Sequence, residues 1–497
     1  MRKPSVLLFS VLLFSMLSIP IRAKNMALSE VHPTSWPDFP VIYITTLNGE
    51  LPTCRVVYPP EGCVGVSITD NDFVAGRMVM TLRGDTIYDS GEYVANESGM
   101  RFRIRGNSTG AGQTQHPYKL KLSKKADLLN RGDKTYNNKN WALLSMHTWN
   151  PNFTDQATNL LTPFGATLAR TIGIKWQPAM QYVNVNINGN YVGLYYLIES
   201  VAKGEKRINI SEQGFIIEND AYWWNEGDQF FHTAHQDPSM GFTFKEPDEA
   251  DAKTRGIYQT YMDSIENAMW YYTADLPQLI DFDSWARWVL SHDFLNDADV
   301  MGSNMFLYVE DFNPLDYTAS PLKMGPLWDF DASYKLPNES WGVHHYSPYF
   351  YYQKLFTDSR FIDTYKKVYY EVAPTLLEKM RKEMESFYAD NSKAFDESAT
   401  LHQLVYGHGE CSHTMRFQMD ELMDKFEKRV ADMETLVTSN YPDMKLGNPT
   451  TGALPVQLLQ RMDPWGRNWT NVSPNTLQQG VYVDRYSDGS SRKWLKR

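Results

Sequence analysis

Cysteine is nearly absent from this chain, with 3 in 497 residues and no C-x-x-C pair. That scarcity rules out a scaffold built on disulfides, and without His-rich spacing it argues against a structural zinc site. His344, His345 and His408 read as surface or pocket residues. Cys54 and Cys63 flank a strand and a turn, and a disulfide between them would close a short loop for roughly 2 to 3 kcal/mol; Cys411 is left over. Positive charge is also short. A formal net charge of -11 argues against nucleic acid or an anionic membrane as principal partner, and tolerates basic partners. After residue 19 no stretch is apolar for long enough to cross a bilayer.

What is present points to a folded protein. With 42% apolar and 14% aromatic residues the chain is globular, and its length allows more than one domain. Met1-Arg2-Lys3, an apolar run over 6–19 and Arg22-Ala23-Lys24 read as a secretory signal peptide over 1–23. No cysteine follows it, which argues against a lipoprotein anchor. The expectation is a secreted, periplasmic or cell-surface protein.

The most informative stretch is Asn296-Asp297-Ala298-Asp299-Val300-Met301-Gly302-Ser303-Asn304, followed by Trp328-Asp329-Phe330-Asp331. Asp299 and Asn304 stand in a D-x-x-x-x-N relation, the spacing of a protein-kinase catalytic loop. Taken alone that spacing is weak, because Asp and Asn are common in loops. The flanks strengthen it. Residues 284–295 carry apolar side chains at helical spacing; 305–309 and 324–328 read as two strands of a hairpin. Such a hairpin brings Asn304 and Asp329 to one end, where a carboxamide and a carboxylate suit a Mg²⁺ ion that takes its remaining ligands from phosphate and water. Asp297 is the rival of Asp299, and Asp331 is either a second carboxylate near the metal or a turn cap.

Further motifs occur in order along the chain: Arg105-Gly106-Asn107-Ser108-Thr109, Pro117-Tyr118-Lys119-Leu120-Lys121-Leu122, Asn188-Gly189-Asn190-Tyr191-Val192-Gly193-Leu194-Tyr195, Lys245-Glu246-Pro247 and Trp328-Asp329-Phe330-Asp331. Together they resemble the spore-coat-protein-H (CotH) kinase family over roughly residues 95 to 370. The resemblance implies an atypical kinase with a divergent protein-kinase-like fold, using ATP and a divalent metal, Mg²⁺ or Mn²⁺, to phosphorylate Ser or Thr on protein partners, surface or coat proteins among them. It implies Asp299 as catalytic aspartate and Asn304 and Asp329 as metal ligands. It places the phosphate-pairing lysine in the strand 118–122, where Lys119 and Lys121 share a face, with Lys121 preferred. Arg105 is the candidate for charge-assisted hydrogen bonds to phosphate, and Glu199 and Glu218, with Asp220, for a nucleotide-pocket or ion-pair role. Read without the resemblance, the 105–112 stretch is a turn between strands.

The chain departs from the family pattern at two places. Thr158 stands where an arginine is expected, in Gln156-Ala157-Thr158-Asn159, and Gly110 stands where an aromatic often follows. The fold class expected is α+β. It comprises a β-rich, sandwich-like domain over 38–98, an atypical protein-kinase-like α/β body with C-terminal helices over 99–440, and a tail over 445–497 with a terminal β-hairpin. Residues 361–372, 375–387 and 415–439 read as amphipathic helices. The alternative function is a non-catalytic kinase-fold surface protein whose aromatics (Tyr222, Trp223, Trp224; Tyr346, Tyr349, Tyr351, Tyr352) bind polysaccharide or protein; buried aromatics would weaken it.

Overall fold

The computed structural model describes residues 31–146, 152–154, 158–300, 302–336, 350–407, 411, 413–441, 458–462, 478–486 and 491–496. The expected signal peptide, His344, His345, His408, Tyr346, Tyr349 and Gln156-Ala157 lie outside them.

In chain order the first part contains β1 (Val41–Thr46), a hairpin of β2 (Arg55–Val57) and β3 (Ser67–Thr69), β4 (Val74–Leu82), β5 (Asp85–Asp89), β6 (Met100–Ile104), α1 (Ser108–Gly112), β7 (Tyr118–Ala126), β8 (Asn138–Ser145), α2 (Leu161–Ile172), β9 (Met180–Ile187) and β10 (Asn190–Glu199). Apart from β2 and β3, these strands make one sheet in the order β1-β9-β10-β8-β7-β6-β4-β5. β1 pairs in parallel with β9 and antiparallel with β4, so every strand but β5 joins a closed barrel. The period-2 alternation explains the closure: Ile42, Ile44, Met78, Met80, Phe102, Leu120, Trp141, Leu143, Val183 and Val185 form one buried cluster. The expected boundary at residue 98 is therefore not a domain boundary. Strands on both sides of it share the barrel, because closing the sheet removes edges that a small sandwich would leave open.

The second part adds β11 (Phe215–Asp220), β12 (Phe230–Phe231), β13 (Gly241–Glu246), α3 (Ala252–Tyr271), α4 (Leu276–Leu279), α5 (Phe282–Leu295), β14 (Met305–Val309), β15 (Lys323–Met324), α6 (Tyr352–Leu355), α7 (Ser359–Tyr406) and α8 (Met415–Asn440). Its sheet runs β12-β13-β11-β14-β15. The main core gathers α2, α3, α5, α7 and α8 around that sheet and the outer faces of β9 and β10, with Tyr182, Tyr196, Phe164, Trp285, Trp288, Tyr365 and Phe426 all buried. The helices at 361–372 and 375–387 are one helix, α7, which contains Pro374. Proline removes one backbone donor, but Val372 and Leu376 on either side are buried and hold the helix in register. In the tail, β16 (Leu458–Met462), β17 (Gly480–Tyr486) and β18 (Ser491–Lys496) form an antiparallel sheet.

All three cysteines are free thiols, so the expected Cys54–Cys63 bridge is not formed. Among the described residues, no helix is long and apolar enough to cross a membrane.

Candidate active site

α5 delivers the first acidic loop. Asp281 caps its start, accepting from Ser284 N at 3.1 Å, and Asn296 ends it in the left-handed region (φ 47°). The next turn is fixed by Asp297, which is fully buried: its Oδ1 accepts from Asp299 N at 2.9 Å, and its Oδ2 lies 3.3 Å from His292 Nδ1. Asp297 is thus occupied in shaping the loop, whereas Asp299 is exposed. The loop is stitched to the second acidic segment by Ala298 N donating to Ala332 O at 3.2 Å and Tyr334 N donating to Leu295 O at 2.8 Å.

The β14–β15 hairpin positions the other two residues. Leu307 pairs with Met324, and Gly325 N donates to Phe306 O at 2.6 Å; Pro326 then ends the ladder, so the second strand is shorter than 324–328. Gln177 clasps the exit on both sides, accepting from Leu327 N at 3.0 Å and donating to Leu327 O at 2.7 Å. Asn304 and Asp329 leave this end with φ of 63° and 59°. Non-glycine residues held in that region mark sites where geometry is over-determined. The Asn304 N–H donates to Glu218 Oε1 at 3.0 Å. Phe330, next to Asp329, is buried against α2, where a Cβ on Gly165 would collide with its ring.

These contacts crowd four carboxylates together. Burial, then the charges of Asp331, Asp299 and Asp297, hold the Asp329 carboxyl well above the usual range, with Arg105 opposing. Asp299 opens to solvent along one edge, yet the protein packed around it comes first in pushing it up to about 6, followed by Asp297 and Asp331. Facing them, the Arg105 guanidinium lies 5.4 Å from the Trp328 ring centroid and feels both Asp329 and Glu218.

A row of cations extends from there. Lys245 Nζ lies 2.7 Å from Glu218 Oε2. Burial opposes the Lys245 charge, but Glu218, Asp220 and Glu226 outweigh it and raise its pKa. Burial first and Arg103 second push Lys119 down to about 8, with Asp248 opposing. Lys121 is 4.0 Å from Asp248. Asp220 accepts from Tyr222 N at 2.8 Å and Thr243 Oγ1 at 3.1 Å, and burial followed by Glu218 brings it to about 7.

The expected residues Asp299, Asp329, Arg105 and Glu218 therefore feel one another's charge, Asn304 joins the group through Glu218, and Lys119 and Lys121 join it by way of Lys245 and Asp248. Glu199 does not. It is buried on another side, 2.8 Å from Arg131 and 3.6 Å from Arg207, and accepts from Ala179 N at 3.0 Å. Its role is that of an ion pair joining the barrel to the connector after β10. Lys245 is the cleft residue not singled out from the sequence as a site, although it stands in the Lys245-Glu246-Pro247 motif. The stretch 105–112 folds as a turn leading into α1. Thr158, at the position of the expected arginine, is buried 3.5 Å from Gln418 Oε1, and Asn159 links Met146 O (2.7 Å) to the same glutamine.

Among the described residues, the aromatics proposed for ligand binding are mostly used in packing. Tyr351 and Tyr352 are 2% and 0% exposed, and Trp223 packs on Phe230 and His232. Among the described residues, no three His, Cys, Asp or Glu side chains gather to hold a metal by themselves. A cation shared between protein and phosphate needs fewer protein ligands. Asp329 with the neighbouring Asp299, Asp297 and Asp331 supplies the negative charge that such an ion needs.

A strand barrel packed on a helical part, with the D-x-x-x-x-N loop beside a second aspartate, is consistent with a kinase-like body. The family model described as CotH kinase protein matches residues 102–408, more than half of the chain, and the chain belongs to the CotH kinase family. No curated protein matches it.

Proposed function

We propose that the protein is an exported kinase that transfers the γ-phosphate of ATP to Ser or Thr hydroxyls of protein partners, with Mg²⁺ or Mn²⁺ held by Asn304 and Asp329. The observation that supports this reading is the closeness of Asp299 and Asp329, with Arg105 facing Asp329 and Glu218, and Glu218 joining the Asn304 backbone to Lys245. A bound divalent ion would neutralise charge on the phosphates. Asp299, the solvent-open carboxylate, orients the incoming hydroxyl and takes its proton. Arg105 and Lys245 steady the phosphate oxygens, and Lys119 and Lys121 extend the same positive wall. Glu218 acts through others: one oxygen holds the Asn304 backbone and the other holds Lys245. Export rests on the N-terminal apolar run, and the protein substrate on the family.

Isothermal calorimetry of ATP with Mg²⁺ or Mn²⁺, on the intact protein and on Asp329→Ala, tests the reading, with radiolabel transfer measured on the same samples and on Asp299→Asn. Metal-dependent binding lost in Asp329→Ala is expected. Asp299→Asn should retain binding and lose label transfer by about 10²-fold or more. Absence of binding in the intact protein would leave a kinase-shaped binding module.

A further inference from the structure

Arg105 on Trp328 and Lys121 beside Asp248 already join the barrel to the helical part, and two further ties limit how far the barrel can move. The chain connection after β10 is one. The other is α7, where Asn184 Nδ2 donates to Ser398 Oγ at 3.0 Å, Leu194 N donates to His402 Nδ1 at 3.2 Å and Tyr406 OH donates to Val192 O at 2.9 Å. With a long helix packed along β9 and β10, the barrel is not free to swing as a rigid body.

Another tie crosses the front. Residues 222–225, after β11, reach over to the β2–β3 hairpin. Trp224 Nε1 donates to Val64 O at 3.1 Å, and Asn225 Nδ2 donates to Ser67 Oγ at 3.0 Å and Ile68 O at 2.9 Å. Ser67 Oγ in turn donates to Asn107 Oδ1 at 2.7 Å, at the start of α1. The Tyr222 ring fills the space in front of Gly65, whose φ is 81°. Tyr222 also walls the acid site: burial and then the Asp299 charge raise its phenol.

We propose that these residues form a strap over the phosphate end of the cleft, and that local release of the strap, not rotation of the two parts, admits and frees the nucleotide. The nucleotide clause rests on the kinase reading above. The strap is built to open. β2 and β3 pair only with each other, over three residue pairs. Val56, Tyr58 and Val64 are 38%, 73% and 44% exposed, and Ile68 is the one side chain of β2 and β3 buried in the barrel cluster, so a single apolar anchor holds the hairpin down. Segments with few buried apolar contacts open at lower free energy than the core around them.

The test is Asn225→Ala, with Gly65→Ala as a second variant that pushes the Tyr222 ring away from the opposite side. Hydrogen exchange on the full chain should quicken about tenfold at 64–69 and 107–112 and stay unchanged in α5. Stopped-flow with a fluorescent ATP and Mg²⁺ should show association and dissociation both about tenfold faster, with Kd moving less than about threefold. Unchanged exchange in both variants overturns the strap whether or not nucleotide binds. Faster exchange with unchanged nucleotide rates overturns the gate. If neither the intact protein nor a variant binds nucleotide, the kinase reading and the gating clause fail together, and exchange still decides whether the strap exists.

Discussion

Asp297 and Asp299 are two residues apart and chemically identical, yet their surroundings assign them opposite tasks. The first has both oxygens engaged inside the protein, and the second faces the cleft. Spacing to Asn304 favoured Asp299 from the sequence, but only burial separates the pair on physical grounds. Lys119 and Lys121 present a similar contrast. Their shared face follows from strand alternation, whereas the lowered pKa of Lys119 comes from burial and Arg103, which no local pattern reveals. An amine brought down to about 8 is half uncharged near that pH, while ordinary lysines remain almost fully protonated. Competitive acylation followed by peptide mass spectrometry should find Lys119 reacting ahead of Lys124 and Lys125 at pH 8, and shielded by ATP with Mg²⁺. Equal reactivity of all three would refute that.

Among the elements, α2 reaches the chemistry through a single small residue. Gly165 is where Phe330 seats, and Phe330 adjoins Asp329. Gly165→Ala should lower stability by about 1 to 3 kcal/mol through overpacking, and should weaken metal-dependent ATP binding because the aspartate turn is displaced. Thermal melts beside calorimetry check this, and unchanged ATP affinity would mean the contact does not govern Asp329. Element by element, what the sequence revealed was what is encoded locally. α5 carries a capping Asp281, apolar residues at helical spacing and an Asn296 terminus, all readable in a window of sixteen residues. The β14–β15 hairpin and its two metal-ligand candidates were equally local. For Glu199 the sequence leaves a nucleotide-pocket and an ion-pair role open, because the partners that decide for the ion pair, Arg131 and Arg207, lie outside its strand, and Lys245 goes unassigned because Glu218 meets it across a sheet. α7 was split at Pro374 because a proline outweighs periodicity in any local reading, although packing on both sides keeps the helix whole.

For the whole molecule, barrel closure settles where the protein can be cut. A fragment of residues 99–440 lacks β1 and β4, and so exposes the pairing edges of β9 and β6 with the apolar interior behind them. It should be insoluble or bind hydrophobic dyes, while the chain from residue 31 onward should be soluble and monodisperse by light scattering. A soluble, cooperatively melting 99–440 fragment would show that the barrel does not depend on its first strands.

The parallel pairing of β1 with β9 also orders events in time. Val41 cannot find Asn184 until the intervening chain has been made, and the other edge of β1 must wait for β4. Contacts of such long sequence separation form late and slowly, because loop closure precedes any gain from burial. The first strand of the barrel therefore spends the longest part of its life unpaired, and a chain kept extended until synthesis is finished would be spared that exposure.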